Sequence, residues 1–71
     1  MQTKKVKIES EFITLGQLLK FARIIGNGSE AKLYLASNEV TVNGEIENRR
    51  GRKLYPGYVV SVPEATIEIE G

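Results

Sequence analysis

Residues 31–44 read Ala31-Lys32-Leu33-Tyr34-Leu35-Ala36-Ser37-Asn38-Glu39-Val40-Thr41-Val42-Asn43-Gly44, and the fold turns on how this stretch is read. Ala31, Tyr34 and Leu35 recur at three- and four-residue spacing, which lines one helical face with apolar side chains and leaves Lys32 on the outer side. After Asn38 the period drops to two, and Val40-Thr41-Val42 reads as a strand. Asn43-Gly44 then supplies the pair whose backbone tolerates the positive φ of a tight hairpin turn. A helix that passes directly into a hairpin implies antiparallel pairing beside a helical layer.

Upstream, Thr14-Leu15-Gly16-Gln17 sets a glutamine three places after a threonine, so the two side chains can satisfy backbone donors reciprocally as a capping box. Leu15, Leu18, Leu19, Ala22 and Ile25 form the apolar stripe of the helix that begins there, with Lys20 and Arg23 outside it. Gly26-Asn27-Gly28 is expected to stop that helix. Asn27 can cap the second one, with Glu30 reaching back to it. Residues 4–9 alternate with Val6 and Ile8 inward, and the lysines at 4, 5 and 7 point outward as charges that discourage pairing at a sheet edge.

Downstream, Pro56-Gly57 marks a turn before the β-branched run Val59-Val60-Ser61-Val62, and residues 66–70 alternate again. The expected fold class is α+β: two consecutive helices, near 14–25 and 28–37, packed on a small, mostly antiparallel β-sheet that contains 40–42 and 59–62. Residues 48–53 are expected as an exposed loop, and the end strands are expected to pair with the sheet. One domain covers 1–71, with its motif core over roughly 12–62.

Composition excludes several classes of chemistry. Seventy-one residues bury a thin core, about 60% of the surface that the unfolded chain exposes, and with no cysteine no disulfide can reinforce it. Histidine is absent too, which removes the commonest general base and metal ligand. Every acidic residue is a glutamate, scattered from Glu9 to Glu70 without metal-ligand spacing. No glycine-rich phosphate loop opens a helix. The expectation is therefore a non-enzymatic protein with no cofactor, no metal and no small-molecule substrate. No apolar run of signal or membrane-spanning length occurs, so a cytoplasmic protein without a membrane partner is expected.

The net charge of +1 conceals a segregation. Four of the ten basic residues fall in Arg49-Arg50-Gly51-Arg52-Lys53. Arginine is planar and permanently charged, which suits bidentate phosphate contacts, and Gly51 would let a partner's backbone come close. The alternative is a solvated loop that keeps a small protein soluble. Lys32 and Lys20 can extend the same patch, although a single surface lysine is usually only solvated; Arg23 is similar. Tyr34, Tyr55 and Tyr58 can stack on unpaired bases, but packing over a thin core is the plainer reading for all three. Phe12 and Phe21 read as core.

The order of these signals resembles the RNA-binding domain named after ribosomal protein S-four, the αL motif. That resemblance rests on Leu15 and Leu19 in the first helix, on Ala31, Tyr34, Leu35 and Asn38 in the second, and on Val40-Thr41-Val42-Asn43-Gly44. Pro56-Gly57 with Val59–Val62 is similar to the family's closing turn and strand. Residues 48–55, Asn-Arg-Arg-Gly-Arg-Lys-Leu-Tyr, together with the short strand before Thr14, resemble the small stand-alone YaaA-type members found in bacteria. The chain departs from the family pattern in three places. Thr14-Leu15-Gly16 stands where Arg-Leu-Asp is common, Asn27-Gly28 stands where Ser-Arg opens the second helix, and Tyr58 replaces the Asp of a Pro-Gly-Asp turn. Two commonly basic contacts are thereby lost, which moves the expected binding toward the loop.

The resemblance implies non-catalytic binding of structured RNA, ribosomal RNA or transfer RNA, in association with the ribosome. The residues expected to carry it are Arg49, Arg50, Arg52, Lys53, Lys32 and Lys20. The three arginines are expected to be exposed, so that their joint replacement by alanine flattens the salt dependence of binding by about 2–3 logarithmic units and leaves folding intact. Tyr55→Ala is expected to cost stability before binding. A small carrier or protein-interaction domain with no RNA role is the alternative, prompted by the terminal Gly71. Against it, the known ubiquitin-like carriers end in Gly-Gly and place no helix pair ahead of the hairpin.

Overall fold

The computed structural model describes residues 2–71; Met1, the first residue of the expected domain, lies outside the described residues. The elements are β1 (Gln2–Lys7), β2 (Ile13–Thr14), α1 (Leu15–Phe21), α2 (Glu30–Ser37), β3 (Thr41–Val42), β4 (Glu45–Ile46), β5 (Lys53–Leu54), β6 (Val59–Ser61) and β7 (Ala65–Glu70). Five strands form one sheet in the order β1-β7-β6-β3-β4, and β2 pairs with β5 in a separate two-stranded piece. All pairings are antiparallel except β1 with β7, which run parallel from Gln2↔Ala65 to Lys7↔Glu70. The α+β class and the mostly antiparallel sheet are as the sequence implies.

The hairpin forms as the Asn-Gly pair requires, with φ 51° at Asn43 and 88° at Gly44. Asn43 also ties the turn to the next strand: its N–H donates to the Val59 carbonyl at 2.7 Å, and its Oδ1 accepts from the Val59 N–H at 2.9 Å. Alternation along β7 buries Ala65, Ile67 and Ile69, which meet Leu15, Leu18 and Leu19 of α1 in the core together with Val40, Val42 and Val60.

The capping box at α1 is present. The Gln17 N–H donates to Thr14 Oγ1 at 3.4 Å, and the Thr14 N–H donates to Gln17 Oε1 at 3.3 Å. The helix is shorter than its apolar stripe suggests. It closes at Ala22, after which Arg23 adopts φ 61°, with the Arg23 N–H donating to the Lys20 carbonyl and the Ile24 N–H to the Leu19 carbonyl. This is the left-handed helix stop that glycine usually makes, built here on arginine at a cost of roughly 1 kcal/mol. Ile25 is buried beyond the helix end. Phe21, expected in the core, is 60% exposed because it stands off the stripe that Leu18 and Ala22 define.

The second helix starts at Glu30 with Ser29 as its cap residue, later than expected. Asn27 still serves this entry, its Oδ1 accepting from the Ser29 N–H at 3.0 Å while the Glu30 carboxylate accepts from the Gly26 N–H at 3.2 Å. Tyr34 is half-buried, and its hydroxyl donates to the Glu64 carboxylate. Burial first, and then that carboxylate, push the phenol well above its ordinary range.

Candidate nucleic-acid interface

The segment after β4 folds back over the start of α1. The Glu47 N–H donates to the Val40 carbonyl at 2.9 Å, which prolongs the hairpin and turns the Glu47 side chain inward, leaving it 7% exposed. Its Oε2 accepts from the Asn48 N–H at 3.1 Å, the Arg49 N–H at 3.2 Å and Arg49 Nε at 3.0 Å. Its Oε1 accepts from Arg49 Nη2 at 3.0 Å and Arg52 Nη1 at 2.8 Å. These donors, Arg49 foremost, outweigh the opposing effect of burial and hold the carboxyl at about 2. In return, Glu47 raises the pKa of the Arg49 guanidinium.

Backbone contacts fix the loop on its other side. The Leu15 N–H donates to the Arg52 carbonyl and the Gly16 N–H to the Arg50 carbonyl, both at 2.9 Å. Two of the helix's unpaired amide donors are therefore satisfied by the basic segment itself. The Arg52 N–H donates to the Arg49 carbonyl at 3.2 Å, which closes a tight turn around Arg50 and Gly51. Lys53 lies in β5 opposite Thr14 rather than in an open loop. Its ammonium sits 5.0 Å from the centre of the Phe12 ring, a cation–π contact. Phe12, Tyr55 and Tyr58 continue as a row of rings, with centroids 6.1 and 5.7 Å apart. The tyrosine pair thus packs against its neighbours, which matches the plainer reading of those residues.

The cations are not equivalent. Arg49 is 72% exposed in its side chain and Arg52 35%, and both are committed to Glu47. Arg50 is exposed and forms no ion pair among the described residues. Beside it runs a shallow groove of about 310 Å³ lined by Thr14, Gly16, Gln17, Gly28, Arg50 and Gly51. Among the described residues, chain neighbours aside, no atom lies within 4 Å of a Cβ placed on Gly51. The structure therefore gathers Arg49, Arg50, Arg52 and Lys53 at the start of α1. Lys20 is exposed in the last turn of α1 and Lys32 is exposed on α2, and no ion pair among the described residues joins either to the loop. Sequence reading missed Glu47, whose partners become visible only once the loop has folded. It also missed the groove residues Gly16 and Gln17.

Among the described residues no three His, Cys, Asp or Glu side chains cluster closely enough to hold a metal ion, and no helix is long and apolar enough to cross a membrane.

A helix pair on a mainly antiparallel sheet, with a hairpin leading into a basic turn against the first helix, is the arrangement of an S4 domain. The S4 domain family model matches residues 6–70, and the chain belongs to that family. A relative from Bacillus subtilis (strain 168), described as "Probable ribosome maturation protein RlbA", is 54% identical over 57 residues, which cover 80% of each chain.

Proposed function

We propose that this S4 domain binds structured RNA, ribosomal RNA or transfer RNA in a ribosomal setting in the cytoplasm, and that it catalyses no reaction. The observation that carries this reading is the anchoring of residues 49–53: hydrogen bonds from the α1 amides to loop carbonyls, Glu47 beneath and the β5 pairing hold the segment, while Arg49, Arg50 and Lys53 stay exposed and Arg52 is half-buried. A rigid cationic surface meets phosphates at a smaller entropic cost than a mobile loop would. Arg50 and Lys53 make the leading contacts. Arg49 and Arg52 are presented by Glu47, and Lys32 with Lys20 extends the field along the helix face. The name of the Bacillus subtilis relative supports a role in ribosome maturation.

Co-sedimentation with ribosomal particles at low and high salt tests the proposal. The protein should travel with the particles at low salt and be released as salt rises, and Arg50→Ala should be released sooner. No association with ribosomal particles or free structured RNA at low salt would overturn it.

A further inference from the structure

Phe21 is an exposed ring in basic surroundings. On one side lies a groove of about 340 Å³ lined by Lys4, Lys5, Val6, Phe21, Ala22 and Arg23. On the other lies a groove of about 410 Å³ whose lining includes Lys7, Glu9 and Gln17. Isolated apolar side chains on a surface need no explanation, but the two grooves beside this one are lined by four cations and a single carboxylate, with Glu68 and Glu70 across the strand from Lys5 and Lys7. Of the four, Lys5 reaches Glu70 at 3.9 Å, whereas Lys4, Lys7 and Arg23 form no ion pair among the described residues. The ring makes no aromatic contact among the described residues.

Two further observations tie this flank to the basic loop and to a ligand. Gln17 lines both the groove beside Arg50 and the groove beside Phe21, so the two regions adjoin at one residue of α1. Arg23 holds the left-handed position, φ 61°, at which glycine would end the helix without strain. Strain kept at a surface position suggests that the side chain is needed there, and Arg23 lines the same groove as Phe21 and Lys4.

We propose that this flank of α1 is a second RNA contact, which takes a short single-stranded segment leading away from the structured region held by residues 49–53. An unpaired base stacks on Phe21, and the neighbouring phosphates meet Arg23 and Lys4 on one side and Lys7 on the other. The site rests on the RNA-binding reading above and deepens it, because it names the form of RNA each surface takes. An aromatic platform in a cationic groove is what sequence-tolerant single-strand binding requires.

The test measures equilibrium binding of two fluorescein-labelled probes, a blunt RNA hairpin and an oligouridine of about ten nucleotides. Phe21→Ala should weaken oligouridine binding about tenfold, as expected for the loss of one stacked base, and should leave the hairpin unaffected. Phe21→Trp should retain oligouridine binding. Arg23→Gly relieves the left-handed strain, so it should raise the thermal midpoint while weakening oligouridine binding severalfold, a combination that a purely structural role for Arg23 would not produce. Unchanged oligouridine affinity in folded Phe21→Ala and Arg23→Gly, with hairpin binding intact, would overturn this inference and leave the RNA-binding reading standing. Failure of the parent protein to bind either probe would overturn both. Binding of a glutamate-rich peptide that Arg23→Gly abolishes, with oligouridine unbound, would assign the flank to an acidic protein partner and overturn the inference.

Discussion

The Gly16 N–H donates to the carbonyl oxygen of Arg50 at 2.9 Å, and this one bond joins the first turn of α1 to the centre of the basic segment. A side chain added at Gly16 would start 3.4 Å from the Arg50 carbonyl, from Arg50 Cβ and from Ala31 Cβ. A bare Cβ would just fit at this position, so it is the absence of anything larger that lets the loop and the second helix close on the first together.

Gly16→Val should therefore push the segment off the helix. A bare Cβ is already at the near edge of van der Waals contact, and valine's two methyl groups extend beyond it. We expect a loss of about 2 kcal/mol in stability, typical of overpacking, together with weaker binding of structured RNA. Thermal melting and hairpin titration check both, and an unchanged midpoint would show that the loop yields freely.

Glu47→Gln should destabilise the protein by about 2 kcal/mol, since an amide nitrogen would face guanidinium and backbone N–H donors that now meet carboxylate oxygens. The pH dependence gives a second readout. The folded carboxyl is held at about 2 against an ordinary 4.5, so its stabilisation is complete above pH 4.5 and is lost as pH falls through about 2. Across that window the variant's stability should vary less than the parent's, and the two acid-unfolding curves should converge at the lower end.

Much of this architecture could be read from local signals, and the exceptions have physical reasons. Asn43-Gly44 announces its turn because two consecutive positive φ angles select for those residues, and Thr14 with Gln17 announces a helix start because the cap needs both side chains. The end of α1 was hidden because the left-handed position carries Arg23 instead of glycine, so the nearest visible stop was Gly26. Two-residue strands such as β2 and β5 are too short to show a period. Glu47 gave no signal at all, since nothing local distinguishes a buried glutamate from a solvated one, and its acceptors' partners lie two and five residues further on.

Tyr55→Ala separates packing from recognition. Tyr55 lies between Phe12 and Tyr58 in the ring row and is 37% exposed. Its removal should cost about 1–2 kcal/mol and leave hairpin affinity in the folded protein nearly unchanged. A large affinity loss without a stability loss would make Tyr55 a base-stacking residue.

The last prediction distinguishes the arginines of the basic segment from one another. Sequence alone treats Arg49, Arg50 and Arg52 as three solvated cations whose joint removal spares the fold, but the structure commits two of them to Glu47. Replacing Arg49 and Arg52 by alanine would leave a carboxylate that is 7% exposed without its charged partners, so the thermal midpoint should fall, by less than for a fully buried pair because Arg49 lies largely in solvent. A triple alanine variant therefore mixes a folding defect with a binding defect. Arg50→Ala avoids the mixture, because Arg50 holds α1 through its backbone carbonyl, which alanine keeps. Its thermal midpoint should stay within the small range usual for surface substitutions, while the slope of log affinity against log salt for a structured RNA should flatten by about one unit, the loss of one phosphate contact. Measuring midpoint and salt slope for Arg50→Ala and for the Arg49/Arg52 pair, each on its own, checks the division. An unchanged slope in folded Arg50→Ala would mean that its guanidinium meets no phosphate, and the contact would then have to come from the cations that Glu47 presents.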